Sequence, residues 1–182
     1  MLVHGAWANG SSWNGVVQRL QADGYTVDVP PNPLLGLACD PEFIADFLHS
    51  ITGPIVLVGH SYGGAVITNA ATGDAQVKAL VYVDAFAPDQ RQTVGQLASS
   101  VPGSCVLAAD PLSQPSGVPA WKTIPSWAVV GTADRVILPA IQLAMARHAH
   151  AHITEVKAPH LSMIAAPGVV TQVILKAVHA TG

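Results

Sequence analysis

Ile55-Val56-Leu57-Val58-Gly59-His60-Ser61-Tyr62-Gly63-Gly64-Ala65-Val66-Ile67 is the stretch that decides the fold. Its first four residues are apolar and mostly β-branched, as in a strand covered on both faces. The segment Ser61–Thr72 is small and apolar all round, which predicts a buried helix. Between strand and helix stands Gly-x-Ser-x-Gly, and in this setting the pattern reads as a nucleophile elbow. A serine at the apex of so tight a turn takes strained dihedrals, and the backbone beside it passes close to its neighbours. Gly59 and Gly63 carry no Cβ to block that approach. The turn lifts the Ser61 hydroxyl above the sheet and aims a helix N-terminus at it, where free N–H groups face any developing oxyanion.

Working outward, short β-branched runs alternate with helix-period segments. The runs are Met1–His4, Tyr25–Val29, Ile55–Val58, Ala79–Val83, Ser126–Val130 and His152–Val156. Helices are expected over Ser12–Ala22, from an Asp40 N-cap with Pro41 behind it, and over Ser61–Thr72, Pro139–Ala149 and Pro167–Ala180. The alternation predicts a three-layer α/β/α sandwich around a mainly parallel sheet of about six strands. Residues 88–125 are weakly patterned, with prolines at 102, 111, 115 and 119 and two short helices near Thr93–Ser99 and Pro111–Gln114. They read as a surface excursion from a single domain over residues 1–182.

Composition narrows the function. The chain has 182 residues, 8 Lys+Arg against 11 Asp+Glu, 50% hydrophobic residues and 10% charged ones. That length suits one domain with a full core, and that balance excludes intrinsic disorder. With a formal net charge of −3 and no basic cluster, a nucleic-acid partner is not expected. No apolar run is long enough for a membrane span. The opening Met1-Leu2-Val3-His4-Gly5 already reads as strand and has no charged leader, so no signal peptide and a cytoplasmic location are expected. The mean hydropathy of +0.40 predicts a large core, exposed apolar surface, or both. The chain's two cysteines, Cys39 and Cys105, read as small hydrophobes, with a single bridge between them left open.

A serine nucleophile needs a base, and the base needs an orienting acid. His160, in the loop Ala158-Pro159-His160 after a strand, sits where parallel sheets place their sites. His148, His150 and His152 read as solvated side chains rather than metal ligands, and His179 falls in the terminal helix. Asp134, in Gly131-Thr132-Ala133-Asp134 after a strand, is the best-placed acid. Asp84 is its rival, and Asp110 lies in the irregular stretch. Oxyanion donors are expected from the Tyr62 N–H and from Ala6 in the loop His4-Gly5-Ala6-Trp7. Trp7, Trp13 and His60 are the candidates for contact with substrate. No metal or organic cofactor is required by this chemistry.

Leu2-Val3-His4-Gly5-Ala6-Trp7, the elbow, Val83-Asp84-Ala85-Phe86-Ala87-Pro88-Asp89, and the loops holding Asp134 and His160 together resemble the α/β-hydrolase superfamily. Within it the chain is most similar to small bacterial esterases related to plant methylesterases and hydroxynitrile lyases. The resemblance implies Ser61 as nucleophile, His160 as base, Asp134 as acid, and Ala6 and Tyr62 as oxyanion donors. It implies a minimal α/β-hydrolase fold, with less sheet before the His-Gly loop than relatives carry. Residues 88–125 would be a shortened cap, leaving Ser61 at an open, lidless surface. The implied activity is hydrolysis of short-chain carboxylic esters, bulky ones included, by a monomer or weak homodimer acting on small molecules. Lactonase, thioesterase, perhydrolase and hydroxynitrile lyase chemistry are the alternatives, as is a ligand-binding protein that has lost catalysis. Lyase relatives carry threonine and lysine where this chain has Ala6 and Leu161, which disfavours that branch.

Overall fold

Among the described residues five parallel strands form one sheet, in the order β1-β2-β3-β4-β5. They are β1 (Leu2–Val3), β2 (Ile55–His60), β3 (Val77–Val83), β4 (Ser126–Gly131) and β5 (His152–Val156). The computed structural model describes residues 1–100 and 110–182. Cys105, Pro102 and the side chain of Asp110 therefore lie outside the described residues. The helices are α1 (Asn14–Ala22), α2 (Asp40–His49), α3 (Tyr62–Ala70), α4 (Val94–Ala98), α5 (Asp110–Ser113), α6 (Pro139–His148), α7 (Ser162–Ala165) and α8 (Pro167–Thr181).

Strand alternation divides the core into two layers. Val3, Leu57, Leu80, Tyr82 and Ala128 face α2, α3 and α6. Leu2, Val58, Val81, Val83, Trp127 and Val129 face α1 and α8 on the other side. Burial on both faces is why β2 and β4 read as unbroken apolar runs. In a parallel sheet all carboxyl ends share one edge, so the loops after Val3, His60, Val83, Gly131 and Val156 emerge together.

Two expectations need correction. Tyr25–Val29 is not a strand; its one rung to β1 is the Leu2 N–H donating to the Asp28 carbonyl at 2.9 Å. The β1 ladder is too short to extend the pairing, and Pro30, Pro31 and Pro33 follow without N–H donors. Among the described residues the sheet accordingly has five strands, against the expectation of about six. Asp40 begins α2, but its side chain does not cap it. The carboxylate turns back and accepts from the Leu35 N–H at 2.8 Å, the Gly36 N–H at 3.1 Å and the Tyr62 hydroxyl at 2.8 Å. Burial and the adjacent Asp40 push the Tyr62 phenol well above its ordinary pKa, so it stays a donor.

The described part of the 88–125 stretch packs down onto the core, contrary to a purely surface excursion. Val94, Ala98, Leu112, Trp121 and Ile124 are all buried. The Trp121 indole N–H donates to the Pro88 carbonyl at 3.1 Å. Asp89 is held between Lys122 at 2.8 Å and His148 at 2.9 Å, and these partners keep its carboxyl well below the usual range.

Tyr62→Phe isolates the bond between the elbow helix and Asp40. Asp40 is fully buried and keeps only two backbone donors in the variant. The expected loss is about 1.5–3 kcal/mol of unfolding free energy in urea titration. A loss under about 0.5 kcal/mol, the size of an ordinary surface change, would contradict this account.

Candidate active site

Ser61 is the single residue between β2 and α3, with φ 53° and ψ −124°. A non-glycine residue there is strained by about 1–3 kcal/mol, and the surroundings must impose it. They do so through contacts that leave no room for a Cβ. A Cβ on Gly59 would lie 2.5 Å from the Gly63 carbonyl oxygen, and one on Gly63 would lie 2.8 Å from the His4 carbonyl oxygen. The Ser61 carbonyl accepts from the N–H groups of Gly64 at 3.0 Å and Phe86 at 3.1 Å.

The three widely separated side chains meet at this edge. His160 Nε2 stands 2.9 Å from Ser61 Oγ, and His160 Nδ1 stands 2.7 Å from Asp134 Oδ2. A carboxylate at Nδ1 fixes the tautomer: Nδ1–H donates to Asp134, and Nε2 is left to accept from the Ser61 hydroxyl. Asp134 is saturated. Its Oδ1 accepts from the N–H groups of Val136 at 2.7 Å and Ile137 at 3.1 Å, and its Oδ2 also accepts from the Gln142 amide at 2.7 Å. The carboxylate therefore closes the turn leading into α6 while it holds the imidazole. Gln142 was not singled out from sequence; a buried polar residue eight positions after Asp134, on an otherwise apolar helix face, was its only signal.

The first loop passes directly over the serine. A Cβ on Gly5 would lie 2.7 Å from Ser61 Cβ. Neither the Ala6 N–H nor the Tyr62 N–H has a partner among the described residues. His4 Nε2 accepts from the Asn32 N–H at 3.0 Å, so its Nδ1 carries the proton and donates to the Gly5 carbonyl at 2.9 Å.

The substrate-contact candidates separate. Trp7 is 74% exposed, whereas Trp13 is fully buried in the layer beneath α1 and α8. His60 is also buried. Its Nε2–H donates to the His160 carbonyl at 2.9 Å and its Nδ1 has no partner. Burial, with His160 nearby, lowers its pKa to about 3, so it is neutral and braces the His160 backbone from behind. Trp13 and His60 are thus corrected from substrate contacts to packing groups. Ser61 keeps 7% of its accessible surface.

The remaining candidates lie elsewhere. His148 bonds Asp89, and the His152 ring lies 5.2 Å from that of Trp127. Among the described residues no group of three or more His, Cys, Asp or Glu side chains is placed to hold a metal, and no helix is long and apolar enough to cross a membrane. A cavity of about 580 Å³ opens near the start of β1 and β2, bordered by Leu2, Tyr25, Asp28, Val56, Lys78 and Ile174, and none of the three meeting side chains lines it. Asp84, the rival acid, bonds neither imidazole nitrogen of His160. It accepts instead from Gly131 and from Ser162.

Comparison with known proteins gives a consistent picture. Residues 1–104 match the model of the alpha/beta hydrolase family. A carbendazim-hydrolysing esterase of Nocardioides sp. (strain SG-4G) is 33% identical over 102 residues, which is 49% of this chain and 42% of that enzyme. The match therefore spans less than half the length of that relative. Among solved structures, a pyrethroid hydrolase from Sphingobium faniae JZ-2 superposes with a TM-score of 0.83 at 20% identity, covering 98% of this chain and 96% of the other. A methylesterase from Arabidopsis gives 0.76 at 16% identity, covering 98% of each chain. At such identities the likeness to solved structures establishes the fold.

Burial pushes the Asp84 carboxyl up to about 6. The folded state then holds that proton more tightly than the unfolded chain, so ionising Asp84 lowers stability as pH rises from about 4 to about 6. Relative to Asp84→Asn, which does not titrate, the wild type is expected to lose unfolding free energy across that window. Urea midpoints at pH 4.5 and pH 7 measure it, and an unchanged difference between the two proteins would refute the assignment.

Proposed function

The chain belongs to the alpha/beta hydrolase family, and from that membership we propose that it is a serine carboxylesterase acting on short-chain esters of small molecules. The observation that carries this reading is the unbroken relay from the Ser61 hydroxyl through the His160 imidazole to Asp134. The naming of relatives as an esterase and a pyrethroid hydrolase supports it.

In this mechanism Ser61 Oγ attacks the ester carbonyl carbon while its proton passes to His160 Nε2. Asp134 stabilises the imidazolium without taking its proton. The carbonyl oxygen becomes an oxyanion and accepts from the Ala6 and Tyr62 N–H groups, each worth about 3 kcal/mol to the transition state in a dry site. The bond to the leaving alkoxide breaks as His160 returns the proton to it, and the alcohol departs. Water then gives a proton to His160 and attacks the acyl-enzyme. Collapse releases the carboxylic acid and restores the Ser61 hydroxyl. His60, kept neutral by burial, takes no part in these transfers.

Selectivity follows from the rim. Trp7 follows Ala6, Leu161 follows His160, and both side chains are exposed. They offer exposed apolar surface next in the chain to the oxyanion donor and the base, which suits neutral esters. Residues 88–125 we read as a shortened cap within a single 1–182 domain.

Assay of Ser61→Ala beside wild type on p-nitrophenyl esters of graded length tests the reading. Wild type is expected to hydrolyse acetate and butyrate esters best and to be labelled by a fluorophosphonate. The variant should lose at least about 10³-fold in kcat and all labelling. Full activity in Ser61→Ala would sink the covalent mechanism, and a steep preference for long acyl chains would sink the short-ester assignment.

A further inference from the structure

We propose that Asp84 is a positioning residue that locks the loop of the acid and the loop of the base into one register, by accepting hydrogen bonds from both at once. The inference rests on the triad reading above and adds a fourth side chain that touches neither substrate nor any reacting atom.

The carboxylate has no exposed surface. Its Oδ1 accepts from the Gly131 N–H at 2.8 Å, and its Oδ2 accepts from the Ser162 N–H at 2.9 Å. The Ser162 hydroxyl adds a third bond, to Oδ1, at 3.0 Å. Gly131 ends β4 and stands three residues before Asp134. Ser162 opens α7 and stands two residues after His160. Asp84 itself follows β3, and its own N–H donates to the Val129 carbonyl of β4 at 3.0 Å. One side chain rooted in the middle of the sheet thus spans the roots of both catalytic loops.

Among the described residues Asp84 forms no ion pair, and Asp134 is the charge acting on it, unfavourably. A buried carboxylate without a counter-ion costs stability, and an apolar side chain of similar volume would pack there at less expense. Its chemistry is what fits: two acceptor oxygens for donors that arrive from two loops. Asparagine does not reproduce this. In either amide orientation its NH₂ group faces a backbone N–H, that of Gly131 or that of Ser162. The approach is also close, since a Cβ on Gly131 would lie 2.8 Å from both Asp84 Oδ1 and the Ala158 carbonyl oxygen. A small shift of one loop against the other misaligns the His160–Asp134 contact, and misplacement of catalytic groups by about 1 Å costs about 100-fold in rate.

The test compares wild type, Asp84→Asn and Ser162→Ala with p-nitrophenyl acetate, and follows the downfield proton NMR signal of the His160 Nδ1–H. Asp84→Asn is expected to lower kcat about 10–100-fold with KM within about twofold, and to shift or broaden that proton while circular dichroism stays unchanged. Ser162→Ala removes a single oxygen and should lower kcat about 3–10-fold with a smaller shift in the same direction. Wild-type kcat and an unmoved proton in folded Asp84→Asn would overturn the proposal. If Asp84→Asn fails to fold, Ser162→Ala decides it by the same two readouts. A wild type without esterase activity would overturn the triad reading instead, and the proton signal would still report whether Asp84 sets the imidazole's contact.

Discussion

The closeness of backbone to backbone at the junction of β2 and α3 governs this molecule. Four chain segments crowd around Ser61: the strand before it, the helix after it, the first loop above it and the end of β3 beside it. Glycine at positions 5, 59, 63 and 64 is what lets them do so. The helix that results is poor by local preference, since two glycines in its first turn disfavour helix by about 1 kcal/mol each. It holds because all its residues but Asn69 are buried. Strain at the serine and weak propensity in the helix are both offset by the layer of side chains that α3 presses onto the sheet.

That crowding explains why much of the site was legible from the sequence. Ser61 and Asp134 each follow an apolar run that the sheet buries on both sides, His160 follows the half-exposed edge strand β5, and a parallel sheet gathers the ends of its strands along one edge. Linear pattern therefore carries spatial information here. It fails where partners come from elsewhere. Nothing local tells that Asn32 fixes the proton of His4, that Gln142 reaches Asp134, or that Asp40 turns from its own helix to the Tyr62 hydroxyl. Trp13 and His60 misled for the converse reason. Proximity in sequence to the loop and the elbow suggested contact with substrate, but the His60 ring is turned inward at the end of β2, and the helical turn Gly10–Trp13 buries the Trp13 ring against the sheet. The run Tyr25–Val29 carried the right residues for a strand but lacked a neighbour long enough to pair with and is followed by prolines that cannot donate.

The polar groups around the Ser61 hydroxyl form a graded set. Those nearest that hydroxyl are saturated: Asp134 takes four donors, and both nitrogens of His160 are engaged. The neutral imidazole of His60 stands behind them, tied to the backbone of His160 and kept from charging by burial. Burial thus keeps the His60 imidazole from gaining a proton beside its neighbour. The ring centroids lie 4.8 Å apart, close enough that two positive charges would repel strongly.

Asp134 also closes the turn into α6 through the N–H groups of Val136 and Ile137, and receives the Gln142 side chain from that helix. Scaffold and chemistry are therefore not separable modules at this corner. A substitution that merely re-angles α6, chosen to improve packing or heat tolerance, will be transmitted through the shared carboxylate to the imidazole. An engineer seeking a hardier protein should leave this helix's first two turns alone and work on the opposite layer, where α1 and α8 cover the sheet.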